Sequence, residues 1–209
     1  MDKYIIISIG HTAAGKTTLL RRLSTVFNLS FISEGALKRS LVEKYENSCS
    51  VDEDLRSNGY KLALQKAMTI LKSENTVILD ASFHKKFRRM WVYEYLNQFN
   101  LYSNAHILWI YCYCSNRDVV KSRIHLREIS KIKNADNQAD KMFIYDYIIK
   151  EFDPVSINDF PLDSKSSVLV IDSYINEIIS YTSNDKQEFF EDIVAYIKNE
   201  YLPSQKSTQ

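Results

Sequence analysis

Two of the four glycines in this 209-residue chain stand five positions apart, in Gly10-His11-Thr12-Ala13-Ala14-Gly15-Lys16-Thr17. The stretch satisfies G-x-x-x-x-G-K-[ST], a phosphate-cradling loop whose physics demands a particular setting. A strand must enter it and a helix must leave it, so that backbone N–H groups curl round an anion and the helix N-terminus points at it. Both flanks comply. Tyr4-Ile5-Ile6-Ile7-Ser8-Ile9 is short, apolar and β-branched, as a strand buried on both faces is. Thr18-Leu19-Leu20-Arg21-Arg22-Leu23 opens an amphipathic helix. The loop, together with Thr18, is therefore expected to bind a nucleoside triphosphate. Lys16 would reach the β- and γ-phosphates, and the Thr17 hydroxyl would ligate Mg²⁺.

Downstream the sequence alternates strand and helix signals. Leu29–Ser33 predicts a second strand and Ala36–Tyr45 a helix; the polar Asn47–Asp54 reads as a loop. Leu55–Ser73 has helical spacing broken only by Gly59, and Thr76–Asp80 is a buried-type strand ending in a carboxylate. Phe87–Phe99 predicts helix, Ala105–Cys112 strand, Arg117–Arg127 helix, and Asp140–Phe152 helix before Pro154. Val168–Asp172 reads as the last strand, and Lys186–Tyr201 as a closing amphipathic helix. Such alternation predicts a three-layer α/β fold: a mostly parallel sheet, helices on both faces, and ligands at the carboxyl ends of the strands. One P-loop domain over residues 1–202 is expected, with a small helical lid at about 123–140 and a disordered polar tail at 203–209.

Composition limits the partners. A net charge of +1 gives no global basic field for nucleic acid, so any such binding must be local. The three cysteines, Cys49, Cys112 and Cys114, lack zinc spacing, and their sparse, odd count fits a reducing compartment. With no signal peptide and no membrane-length apolar run, a soluble cytoplasmic protein is expected. Oligomeric state leaves no sequence signal.

Position at the strand ends converts residues into candidate chemistry. Asp80 ends its strand on the loop's rim, where a carboxylate can hold Mg²⁺ or accept a proton, or simply cap the next helix. Glu34, just after the second strand, is a candidate general base or a solvated helix start. Arg123 and Arg127 lie four apart, share a helical face, and precede the polar Ser130–Asn137 stretch; they suit a lid that brings positive charge over a migrating phosphoryl group. Lys85, Lys86, Arg88 and Arg89 form a second basic cluster, fit for an anionic substrate or for coating a helix. His84 has no second ligand at metal spacing and reads as a polar surface residue.

Four segments carry a resemblance. Gly10–Thr18 is the first. Phe31-Ile32-Ser33-Glu34-Gly35-Ala36-Leu37-Lys38-Arg39 is the second, and Val77-Ile78-Leu79-Asp80-Ala81-Ser82-Phe83 with Arg89 the third. The fourth runs from Tyr111–Cys114 through Arg123 and Arg127 to Gln138-Ala139-Asp140 and Glu151-Phe152-Asp153-Pro154. Together they resemble the P-loop kinases of the AAA_33 group, which contains polynucleotide 5′-hydroxyl kinases, with zeta-toxin and gluconate kinase-like enzymes further off. The resemblance implies ATP and Mg²⁺, with Lys16 and Thr17 at the triphosphate and metal, Asp80 as rim carboxylate, and Arg123 and Arg127 in the lid. It places the acceptor at the loop after Ser33, with Lys38 or Arg39 standing for the family's substrate-binding arginine and Arg89 for its downstream one. One departure is plain: Gly35 occupies the position of the family's acceptor-activating Asp, with Glu34 one residue earlier.

The expected activity is transfer of the ATP γ-phosphoryl group to a hydroxyl, on a polynucleotide 5′ end or a small molecule. The alternatives are an NTPase that switches a partner and a nucleotide-binding module without chemistry. No motif spells the acceptor, and ATP over GTP rests on the resemblance.

Overall fold

In the computed structural model the apolar runs align as a single sheet of six strands, in the order β2-β3-β1-β4-β5-β6. The structure describes residues 1–42, 53–129, 142–183 and 188–202. The strands are β1 (Lys3–Ile9), β2 (Ser30–Ser33), β3 (Thr76–Asp80), β4 (Ala105–Tyr113), β5 (Lys165–Asp172) and β6 (Glu177–Ser183). The helices are α1 (Lys16–Val26), α2 (Glu34–Val42), α3 (Glu53–Ser73), α4 (Lys86–Gln98), α5 (Arg117–Ile129), α6 (Met142–Lys150) and α7 (Glu188–Tyr196). β1 to β5 run parallel, as the fully buried isoleucine and valine runs require.

Alternation along β1 sorts the core into two faces. Ile5, Ile7 and Ile9 pack with Leu64, Met68 and Leu71 of α3 and with Val92 and Leu96 of α4. Ile6 faces the other way, onto Leu19, Leu20 and Leu23 of α1 and Phe190 and Ile193 of α7. Helices therefore cover both faces, which is the α/β P-loop architecture expected. Among the described residues no helix is long and apolar enough to cross a membrane.

One element departs from the sequence reading. The sheet does not end at β5: β6 turns back antiparallel through Asn176, whose φ of 57° is the left-handed value that Asn tolerates in tight turns. β6 was hidden because it is an edge strand, mostly exposed on both faces, so its side chains do not alternate. The closing helix also widens over its last turn, Ile197–Tyr201, into wider hydrogen bonding. Of the loop expected at 47–54, residues 53 and 54 belong to α3 and the rest lie outside the described residues. Of the lid expected at about 123–140, residues 123–129 belong to α5 and the rest lie outside them, as does the tail at 203–209.

Candidate phosphoryl-transfer site

The loop between β1 and α1 is fixed by what surrounds it. Gly10 has φ 139°, and a Cβ there would stand 1.9 Å from the Cys112 carbonyl oxygen of the neighbouring β4, so only glycine fits. Gly15, at φ 89°, turns the chain into α1. No side chain caps that helix and no acidic residue stands in its first turn, which leaves its positive end for an anion. Lys16 Nζ donates to the His11 carbonyl at 2.6 Å, and burial pushes its ammonium below the usual range against the pull of Asp80. His11 is paired through both ring nitrogens: the Cys114 N–H donates to Nε2 at 3.1 Å, so the proton sits on Nδ1 and is donated to the Thr12 carbonyl at 2.7 Å. Burial holds this imidazole down to about 4, hence neutral.

Strand register brings the two candidate carboxylates to one rim. Ser33 of β2 pairs with Asp80 of β3, so Glu34 begins α2 beside the end of β3. Asp80 is buried, accepting from Ser8 Oγ at 3.1 Å on one oxygen and from Thr17 Oγ1 at 2.7 Å on the other. The Thr17 hydroxyl and the Asp80 carboxylate make a sparse, all-oxygen pair. That suits Mg²⁺, which keeps most of its ligands as water and phosphate; no group of three or more His, Cys, Asp or Glu gathers as a metal cage among the described residues. Glu34 is also buried, and burial raises its pKa against the opposing charges of Lys38, Arg88 and Arg56.

Around Glu34 three helices supply cations. Arg56 of α3 and Arg88 of α4 are 7% and 1% exposed. The Arg88 guanidinium lies over the Tyr60 ring at 4.8 Å and by Phe87 at 5.3 Å; Arg56 lies over Tyr147 at 5.2 Å. His84 is buried beside them, against the expectation of a surface residue; it was missed because one polar residue in a loop gives no periodicity from which to read burial. Phe83, with the unusual φ of 42° for a bulky residue, is held there by hydrogen bonds from its N–H to Tyr60 Oη and from Arg89 to its carbonyl.

The substrate-side candidates separate. Lys38 stands next to Glu34, its charge the largest of those acting on that carboxylate. Arg39, half-buried, lies one residue on in α2. Arg89 is turned elsewhere: its terminal nitrogens donate to the carbonyls of Phe83, Asp153 and Pro154, tying the loop after β3 to the loop after α6. On the other side of the P-loop, Arg123 donates to the Ala13 carbonyl at 3.1 Å and to Ser173 Oγ and carbonyl at 2.9 and 3.0 Å. Arg127, one turn further on, lines a cavity of about 500 Å³ behind the loop together with Gly15, Thr18, Cys112, Asn176 and Tyr201. Burial pushes the Cys112 thiol up to about 12.

Sequence reasoning missed Ser8, Ser173 and Tyr60. Ser8 had a signal, as the single serine among the isoleucines of its strand. Gly59 was another: a glycine inside a helix usually has a packing reason, and here a Cβ would stand 2.9 Å from Glu34 Oε1.

A family model described as an AAA domain, AAA_33, matches residues 5–142. No curated protein matches the sequence. Among solved structures, a candidate kinase from Chloroflexus aurantiacus superposes with TM-score 0.65 at 20% identity, over 94% of this chain and 96% of its own. A fungal RNA kinase gives 0.57 at 14% identity, covering 96% and 88%. Kti12 from Chaetomium thermophilum, solved with ADP-AlF3, gives 0.53 at 14%, covering 93% and 99%. These likenesses show a kinase-like P-loop fold, and the chain belongs to the AAA_33 family.

Proposed function

We propose that this protein transfers the γ-phosphoryl group of ATP to an acceptor hydroxyl. The observation that carries this is the division of labour between the two buried carboxylates. Asp80 has both oxygens engaged by Ser8 and Thr17 and lies under the P-loop, whereas Glu34 stands apart among cations with its pKa raised. A raised carboxyl is better matched to taking a proton near neutral pH than an ordinary one.

In this reading the P-loop N–H groups and Lys16 hold the triphosphate, with the base in the cavity lined by Tyr201 and Asn176. Thr17 and Asp80 would hold Mg²⁺, which when bound neutralises charge on the β- and γ-phosphates. Glu34 takes the acceptor's hydroxyl proton as the oxygen bonds to the γ-phosphorus and the bond to the β-phosphate oxygen breaks, releasing ADP. Arg123 keeps the loop in shape through Ala13 and Ser173, while Arg127, which lines the same cavity as Gly15 and Thr18, would bring positive charge toward the phosphates.

The acceptor is a polynucleotide 5′-hydroxyl or a small molecule. Purified protein with γ-labelled ATP, Mg²⁺ and 5′-hydroxyl RNA and DNA oligonucleotides, with Lys16→Ala as the blank, tests the first. Label on the oligonucleotide, absent in the blank, is the expected result. ATP binding with no labelled oligonucleotide and no labelled metabolite across a hydroxyl-compound panel would overturn the kinase reading in favour of a binding module.

A further inference from the structure

His84 presents a buried hydrogen-bond donor with nothing to donate to. Its Nε2 faces Arg88 Nη1 at 3.5 Å, the outer limit of a hydrogen bond. A guanidinium only donates, so Nε2 is the acceptor and the ring proton lies on Nδ1. Nδ1 is buried and without a partner. Leaving such a donor unpaired is costly, and native proteins rarely do so without a reason.

The electrostatic setting identifies what is missing. The strongest charges acting on this imidazole, Arg88, Arg56, Lys85 and Lys16, are all positive; with burial they hold it down to about 3, so it stays a neutral donor. The Arg88 guanidinium carbon lies over the Tyr60 ring at 4.8 Å and the Phe87 ring at 5.3 Å, and a guanidinium stacked on a ring recognises oxyanions through its in-plane N–H edge. Glu34 is the carboxylate that both Arg88 and Arg56 act on. Two guanidiniums, an N–H donor and one carboxylate form a site for a molecule that brings both a hydroxyl and a negative charge.

Resting on the kinase reading, we infer that His84, Arg88 and Arg56 form an anion subsite for the acceptor, which carries a phosphate or carboxylate group beside the hydroxyl that faces Glu34. This assigns acceptor recognition to α3, α4 and the loop after β3, instead of to Lys38, Arg39 and Arg89. Arg89 is spent on carbonyls of the fold.

The direct test needs no turnover. With the P-loop filled by a non-hydrolysable ATP analogue and Mg²⁺, inorganic phosphate and acetate are titrated separately while ring-nitrogen NMR follows His84. The expected result is a proton on Nδ1 and a saturable shift of that signal with one or both anions. His84→Leu and Arg88→Gln should weaken binding by about tenfold or more, the loss of one charge-assisted bond. His84→Asn, whose amide nitrogen can take the Nδ1 place, should keep most of it; this also controls for damage to the fold. A proton on Nε2, no His84 shift with either anion, or unchanged affinity in His84→Leu overturns the subsite.

A second arm compares acceptors with γ-labelled ATP: a 5′-hydroxyl dinucleotide and gluconate, each against its uncharged counterpart, nucleoside and glucose. Preference for the dinucleotide names phosphate as the source, and preference for gluconate names carboxylate. Equal labelling of charged and uncharged acceptors overturns the subsite. If nothing is labelled while phosphate still shifts His84, the kinase reading falls and the anion site stands.

Discussion

Two buried histidines, His11 after β1 and His84 after the neighbouring β3, mark how differently the halves of the site are built. On the nucleotide side, His11 has both ring nitrogens paired with backbone, Asp80 has both oxygens occupied, and Lys16 rests on a carbonyl. On the acceptor side, His84 keeps a donor without a partner, and Glu34 sits among three cations contributed by different helices. The first region is completed by the protein itself. The second has the pattern of a site completed by what it binds. A triphosphate is a constant ligand that backbone can hold, whereas an acceptor is specified by side chains, and those carry unsatisfied polarity until it arrives.

The sharpest way to break the nucleotide half is Gly10→Ala. The new Cβ would sit 1.9 Å from the Cys112 carbonyl oxygen, a backbone atom that cannot swing away. We expect a loss above about 4 kcal/mol, lowering Tm by more than about 8 °C, with nucleotide binding abolished. At Gly15 the nearest atom would be 3.7 Å away, so Gly15→Ala bears only the positive-φ cost of about 1–2 kcal/mol. Thermal melts of the two variants check this, and equal losses would mean that the β1–β4 approach is not what fixes the loop.

The acceptor half should fail in the opposite manner, in rate and not in folding. Glu34→Gln should lower transfer by about 10²- to 10⁴-fold while leaving ATP-analogue affinity unchanged. Calorimetric titration beside a single-turnover assay separates the two. Affinity falling in step with rate would place Glu34 in nucleotide binding and erase the contrast.

A smaller effect, expected from Gly59→Ala, couples the halves of that argument. Alanine for glycine inside α3 favours the helix by about 1 kcal/mol. The added methyl, however, would meet Glu34 Oε1 at 2.9 Å and Lys38 Cβ at 3.2 Å. The carboxylate end can move and the backbone need not, so the melt should stay within about 4 °C of wild type. Transfer should still drop by about tenfold or more, because the proton acceptor is displaced. An unchanged rate would show that the position of Glu34 does not limit catalysis.

This division also explains what could be read from the sequence. The P-loop was legible because backbone geometry restricts residue type locally: Gly10 at φ 139° and Gly15 at φ 89° mark its two ends, and the motif they frame lies within eight consecutive residues. Asp80 was legible through its strand, since a carboxylate closing a buried apolar run has only the rim to occupy. The juxtaposition proposed for the acceptor was not legible. Glu34 and Arg88 were candidates one by one, but Glu34, Arg56, His84 and Arg88 come from α2, α3, a loop and α4 and meet only through tertiary packing. Arg88 and Arg89 were read together as one basic cluster, and Arg89 was singled out through the family resemblance. Adjacent helix positions differ by about 100° in direction, and only the fold decides which one faces the site.

Acid sensitivity gives the finest test, because the buried histidines and Glu34 push in opposite directions. His11 and His84 have folded values lowered from 6.5 to about 4 and about 3. The unfolded chain therefore binds more protons between those values and 6.5, and stability is lost as pH falls through that window. Glu34 has its folded value raised above 4.5, so here the native state binds the extra proton, and stability is lost as pH rises from 4.5 through the folded value. In the wild-type protein these slopes oppose each other just above pH 4.5. Glu34→Gln removes the falling component alone, so the unfolding free energy of that variant should climb more steeply with pH just above 4.5 than that of the wild type. Carboxylates with lowered values, such as Asp172, contribute equally to both proteins and drop out of the difference. Urea unfolding at a series of pH values measures it, and superimposable profiles would mean that Glu34 titrates like a solvated residue and that the acceptor half is not preorganised around a buried carboxyl.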